Sequence, residues 1–303
     1  MIDRAPLFTP EEAWSSVPRG LPLIALLTGY RDAGATVAQT VEALIEADPG
    51  EPVATFDHDL LLDYRARRPV IRVEGYGIAE YRRPRLDLRL MRDSVGQPFL
   101  LLSGFEPDFR WEGFTEAVLR MHAHFGVTSV TWAHAVPMPV PHTRPIRLAV
   151  TGNRDELSSQ LSVWRANVEA PAHALHLLEH ELTRADEPVA DLVVLSPHYL
   201  SDGAVPATAL RLLEALGTAT GLLFATEAVR ERDREFRVEF DASVAEQEEV
   251  QRLIGVLETQ YDGFVRDTPQ ENPFADADGE MPSGDDIAAE LARFLKSRAD
   301  EDK

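Results

Sequence analysis

Short apolar runs alternate along this chain with stretches in which apolar side chains recur every three or four positions. Residues 21–28, 52–56, 97–103, 127–135, 146–151 and 189–196 read as strands, most of them too apolar to leave a face in water. Residues 35–47, 111–125, 172–184 and 206–216 carry helical spacing between them. The third of these helices starts near Pro171, and Gly217 can cap the fourth. This alternation predicts an α/β fold with a mostly parallel sheet flanked by helices. Residues 65–92 break the rhythm, because nine arginines stand there among β-branched and aromatic side chains. Residues 86–90 alternate as a half-exposed strand, and the whole segment suits charged, antiparallel edge strands.

The carboxy-terminal part has a different character. Residues 227–258 are strongly charged, with a helical run through Val244, Val250, Leu253, Ile254 and Leu257. An acidic, Pro-rich tether follows, and then an amphipathic helix with Ile287, Leu291, Phe294 and Leu295 as its apolar stripe. The expected organisation is an α/β domain over 1–260, a tether over 261–283 and a helical C-terminal extension over 284–303.

Composition narrows the function classes. The 303 residues can bury a sizeable core, and the absence of cysteine removes thiol catalysis and cysteine-ligated zinc and fits a reducing compartment. No apolar run approaches the roughly 18 residues of a membrane span. No leader-like start is recognisable, so a cytoplasmic protein without membrane attachment is expected. The net charge of −21 is uneven: residues 1–150 hold 16 Arg against 19 Asp and Glu, and residues 151–303 hold 14 Lys and Arg against 32. Such a surface repels phosphate backbones, so no nucleic-acid partner is expected, whereas a basic protein partner is compatible with it.

Residues 99–145 look like the organising stretch: strand, acidic and aromatic loop, helix, strand, then a loop stiffened by Pro137, Pro139, Pro141 and Pro145. Both loops leave the carboxyl ends of strands, where open α/β sheets place ligands or partners. The candidates there are Gly104, Phe105, Glu106, Trp111, His134, His142 and Arg144, joined by Asn153, His198 and Tyr199 after later strands. Arg144 could take an anion and a histidine or Glu106 could move a proton. Equally, Arg144, His142 and Glu106 could pair with one another or with a neighbouring subunit and merely hold loops in place.

Gly29, Tyr30, Asp32 and Gly34 form a strand-to-helix loop with the outline of a phosphate cradle but without its full glycine or lysine pattern, which favours an ordinary turn. Asp57, His58 and Asp59 suit a solvated or capping role. His176 and His180 match the HxxEH spacing of inverted zinc peptidases. Leu175, Leu178 and Leu182 mark the opposite, buried face, so His173, His176 and His180 should form a polar stripe toward solvent or another subunit. No metal and no cofactor are expected. Trp164 and Arg165 fall in a connecting segment.

The runs SGFEPDFRWEGFTEAVLRMHAHFGV at 103–127, VPHTRP at 140–145 and SPHYLSD at 196–202 resemble the bacterial branch of the PAC2 family, similar to proteasome assembly chaperone 2. The resemblance spans residues 20–260. It implies a fold like that of purine nucleoside phosphorylases and a homo-oligomer, commonly a trimer, and it carries no settled catalytic set. A non-enzymatic assembly or interaction protein is therefore the favoured reading. The alternative is a binding protein or enzyme of the phosphorylase type, acting on a nucleoside, nucleotide or anion. The family's link by name to ATP-grasp ligases finds no recognisable nucleotide or Mg²⁺ pattern here.

Overall fold

The structure, a computed structural model, describes residues 6–163 and 167–267. Trp164 and Arg165, the tether beyond residue 267 and the helix expected over 284–303 lie outside the described residues. The first half runs β1 (Phe8–Pro10), β2 (Leu23–Thr28), α1 (Thr36–Ala47), β3 (Glu51–Phe56), α2 (His58–Leu61), β4 (Val70–Glu74), β5 (Gly77–Arg82), β6 (Leu86–Arg92), β7 (Pro98–Phe105) and α3 (Trp111–Phe125). The second half continues with β8 (Val130–Met138), β9 (Leu148–Gly152), α4 (Asp155–Leu161), α5 (Ala174–Arg184), β10 (Val189–Pro197), α6 (Pro206–Thr220), α7 (Glu227–Val244) and α8 (Glu248–Asp267).

Eight strands form one sheet in the order β1-β3-β6-β7-β2-β8-β10-β9. Its centre, β7-β2-β8-β10, is parallel, as the strand and helix alternation predicts. Both margins are antiparallel. Successive side chains leave a strand on opposite faces, so each strand feeds two cores. Leu23, Ala25 and Leu27 join Trp132, Leu175 and Leu178 on one face, beneath α3 and α5. Ile24 and Leu26 join Leu212 and Leu216 on the other, beneath α1 and α6. Helix α7 packs on α6, and Tyr261 of α8 joins Met138, Val140 and Leu195 in a third, small core.

Several expectations are corrected. β6 is an interior strand between β3 and β7, and almost all of it is buried. Its charges tolerate this because they are paired: Asp87 lies 3.1 Å from Arg85 and 3.3 Å from Arg89, and Arg89 also donates to the Pro49 carbonyl. β4 and β5 leave the main sheet altogether and form a two-stranded sheet of their own. β8 continues past residue 135 through Pro137 to Met138, paired in parallel with β10, so the first proline expected in the loop belongs to the strand. The connection after β9 contains a helix, α4, that the sequence pattern misses. The charged segment after residue 227 divides into α7 and α8, and α8 runs past residue 260 to Asp267. Asp57 caps α2 by accepting from the Asp59 and Leu60 amides.

Candidate functional site: a buried histidine and carboxylate cluster

Parallel pairing of β8 with β10 sets Asp191 opposite Trp132, and the alternation of β8 carries His134 to the same face. Helix α5 closes over this spot. His134 Nδ1 lies 3.2 Å from Asp191 Oδ1. The Trp132 ring stacks with both His134 and His173, at centroid distances of 5.2 and 5.6 Å. Its indole N–H donates to Glu179 Oε2 at 2.7 Å, and the Thr151 hydroxyl donates to Glu179 Oε1 at 3.0 Å.

The start of α5 explains the rest. His173 is its N-cap, and its Nδ1 accepts from the Leu175 amide at 2.9 Å. The His173 amide donates in return to His176 Nδ1 at 2.8 Å, so two imidazoles play the part that Ser and Glu play in an ordinary capping box. Glu106, from the loop after β7, accepts from the Ala174 amide at 2.8 Å and places a carboxylate at the positive end of the helix. Tyr30 packs its edge against His134 and His173 and donates its hydroxyl to the Pro171 carbonyl. Three loops are thereby tied to one buried knot.

Burial and mutual charge shift its three histidines and two glutamates. Burial lowers His134, but the Asp191 carboxylate, its hydrogen bond and the nearby Glu179 outweigh this and hold the imidazole above its ordinary range. Burial, with the His134 and His176 charges, pushes His173 down to about 3. Burial, reinforced by Asp191, pushes Glu179 up to about 7, although Trp132 and Thr151 bond to it. Burial also raises Glu106 and lowers His176. The group can therefore hold or exchange a proton near neutral pH, but it is closed, with Asp191 and His173 each 1% exposed.

The polar stripe expected on α5 is not what the helix presents. His173 is buried, His176 is half-buried and only His180 is exposed, because α5 packs against α3 and against the sheet and so buries a wide arc. The HxxEH pair is thus split. A different trio, His134, His176 and Asp191, places potential ligand atoms within 4.8 Å of one another. Its hydrogen bonding does not suit a cation: His176 Nδ1 accepts a backbone N–H, which leaves the proton on Nε2, the atom a metal would need bare.

The other candidates fall into separate places. Asp32 accepts from the Val37 and Ala38 amides, so its own carboxylate sits where a cradle at the start of α1 would hold an anion. Gly34 is tied into the fold, its amide donating to Ser201 and its carbonyl accepting from Val205. Gly29 lies against the Arg67 guanidinium, which pairs with Asp108 and stacks over Phe105. Gly104 adopts φ 135°, and a Cβ there would overlap the Arg85 carbonyl just before β6. Trp111 donates to the Pro107 carbonyl. His198 Nδ1 lies 3.3 Å from the Met138 carbonyl oxygen.

His142, Tyr199 and Arg144 belong to a second group, which holds the last two helices. The Tyr199 hydroxyl takes the His142 amide and lies 2.7 Å from His142 Nδ1, while His142 Nε2 faces Asp241 of α7 at 3.2 Å. Arg144 makes a two-pronged pair with Asp262 at 2.8 Å and reaches Glu258 at 3.0 Å, both on α8. Arg144, His142 and Glu106 therefore do not pair with one another. Asn153 sits at the opposite, amino end of β10, where it exchanges hydrogen bonds with Glu187 and Val189 beside an open polar groove of about 530 Å³. Arg144→Ala is expected to loosen α8 while leaving the sheet intact. Hydrogen exchange checks this, with faster exchange over residues 248–262 and unchanged protection in β8 and β10.

A family profile for the PAC2 family matches residues 26–244. The chain belongs to the PAC2 family. Among solved structures, this PAC2 protein is similar to a Corynebacterium glutamicum protein of unknown function, with 32% identity over 86% of this chain and 99% of that one, and a TM-score of 0.82. A Mycobacterium tuberculosis protein of unknown function is 34% identical over 87% of this chain and 93% of that one, with a TM-score of 0.80. A proteasome-assembly chaperone homologue, also from Mycobacterium tuberculosis, shares the fold at 22% identity, covering 77% of this chain and all of that one, with a TM-score of 0.70. No curated protein matches. Among the described residues of this PAC2 chain, no helix is long and apolar enough to cross a membrane.

Proposed function

We propose that this PAC2 protein is a non-enzymatic, cytoplasmic assembly or interaction protein that self-associates through its α/β domain, as a trimer. The observation that carries the reading is the family match over residues 26–244. The fold neighbour described as a proteasome-assembly chaperone homologue points the same way. The side-chain geometry agrees. Glu106, Arg144, His142 and Asp32, the groups best suited to hold an anion or move a proton, are engaged by the protein's own loops and helices. Loops fixed in this way are preformed for recognition, which lowers the ordering cost of binding a partner.

A second reading, a ligand-binding protein or enzyme, rests on Glu179 near 7 and His173 near 3 in one buried cluster, since opposed shifts of this size gather at functional sites. Light scattering on the full chain, combined with a thermal-shift series using nucleosides, nucleotides and phosphate, separates the two. The expected result is a particle of three times the 33.7 kDa protomer mass and no ligand-specific shift. A monomer removes self-association, and a specific shift abolished by Glu179→Gln transfers the argument to the second reading.

A further inference from the structure

Two backbone bonds at the start of α5 exist only while their imidazoles are neutral. The Leu175 amide donates to His173 Nδ1 at 2.9 Å, and the His173 amide donates to His176 Nδ1 at 2.8 Å. A protonated imidazole carries hydrogen on both nitrogens and accepts nothing, so each proton taken up sets two N–H groups against each other. The oxygens of an ordinary capping box keep an acceptor lone pair at any pH, and these nitrogens do not. His173 is 1% exposed, and its Nε2 has no hydrogen-bond partner among the described residues, with Glu106 Oε1 3.9 Å away. A charge on that ring therefore finds no close acceptor while the site stays closed.

The box also fastens loops. Glu106 accepts from the Ala174 amide between the two caps, and Tyr30 packs its edge on His173 and bonds to the Pro171 carbonyl just before it. The Glu106 amide in turn donates to the Thr28 carbonyl at the end of β2. We infer that the two-imidazole cap of α5 is an acid-operated latch: neutral, it holds the loops that carry Tyr30 and Glu106, and protonated, it releases the first turn of α5 and both loops together. The latch does not depend on self-association.

The surrounding charges set its direction. β8 presents His134, β10 presents Asp191, and α5 itself adds Glu179. The loop after β7 adds Glu106, with Arg67 and Asp108 behind it, and the loop after β2 adds Tyr30. α3, packed on α5, brings His122, which faces Glu187 past the far end of the helix. Burial lowers His176 in spite of Asp191, and burial with the His134 and His176 charges lowers His173 to about 3. Below pH 6.5 the opened segment thus takes up protons that the closed one refuses, and each favours opening by about tenfold per pH unit. Burial raises the Glu106 carboxyl above 4.5, which works in the opposite sense and reduces the slope. Two imidazoles outweigh the single carboxyl.

The test is hydrogen exchange of the full chain at pH 6.5 and 4.5, followed peptide by peptide and corrected for the intrinsic effect of pH. Protection at residues 173–175 and 105–109 is expected to fall together by about tenfold, while β8 and β10 keep theirs. His173→Asn with His176→Gln rebuilds the box from acceptors that do not titrate, and this variant is expected to keep its protection at both pH values. Nitrogen-15 NMR of the histidine rings should find Nδ1 of His173 and His176 without a proton at neutral pH, and a protonated Nδ1 there overturns the latch. Equal protection of the wild type at the two pH values overturns it, as does an equal fall in the wild type and the double variant. Loss of protection in the sheet along with the loops makes the acid effect global unfolding and overturns it too. If circular dichroism shows the double variant unfolded, His176→Gln alone decides: a smaller fall than in the wild type is expected, and an equal one overturns the latch.

Discussion

Asp191→Ala is expected to lower the free energy of unfolding by about 3 kcal/mol, the usual cost of deleting one member of a buried charge pair. Asp191 is 1% exposed and lies 3.2 Å from His134, whose imidazole it holds above the ordinary range against the pull of burial. Alanine leaves that imidazole with no carboxylate in direct contact, in a spot already crowded by the Trp132 and Tyr30 rings. Two measurements belong together. Denaturant unfolding gives the loss of stability, and a proton titration of His134 by NMR should show its pKa falling below 6.5. Asp191→Asn, which keeps the shape and one acceptor oxygen, should recover part of the stability but not the raised pKa. Loss of stability with an unmoved His134 would sink the charge-pair account and leave only a packing defect.

The same cluster shows what could be read from residues alone. The central strands were legible because each is a short apolar run, and α3 and α5 announced their leucine and phenylalanine faces through their spacing, whereas the order of the strands in the sheet was not. Nor was the direction of a histidine. Periodicity assigns one buried face to a helix, whereas α5 is clasped by both α3 and the sheet, so His173 and His176 went inward. Asp191 did carry a signal, a single acid in the apolar run VADLVVLS, but nothing in the spacing names its partner 57 residues earlier. Glu179 is an ordinary helix glutamate until Trp132 and Thr151 bond to it from two different strands. Arg144 looked like an anion site because its carboxylates, Glu258 and Asp262, lie more than a hundred residues away. The separate hairpin escaped because alternation of arginine with Val, Ile and Tyr describes a sheet edge and a free arm equally well.

The largest pH effect should come from two members of the cluster working against each other. The folded-state pKa of His173 is depressed to about 3 from 6.5, so its contribution is complete above pH 6.5 and is lost as pH falls, when the unfolded chain takes up a proton that the fold refuses. The folded-state pKa of Glu179 is raised to about 7 from 4.5, so it destabilises as pH rises through the same interval, because the unfolded chain ionises first. Each slope is about 1.4 kcal/mol per pH unit, one proton, and between pH 4.5 and 6.5 they oppose. The wild type should therefore gain little net slope from this pair. His173→Asn keeps a good N-cap for the Leu175 amide while removing the titration. Relative to wild type, its stability should fall by about 2 kcal/mol between pH 5 and 6.5, because Glu179 is then unopposed. Glu179→Gln should show the mirror image, rising by a similar amount over the same range. Differences of this kind cancel the many surface carboxylates common to all three proteins, so the comparison isolates the cluster. Parallel pH profiles for the three proteins would show that the imidazole and the carboxyl are not coupled to folding, and with that the buried knot would lose its electrostatic role in fixing the loops.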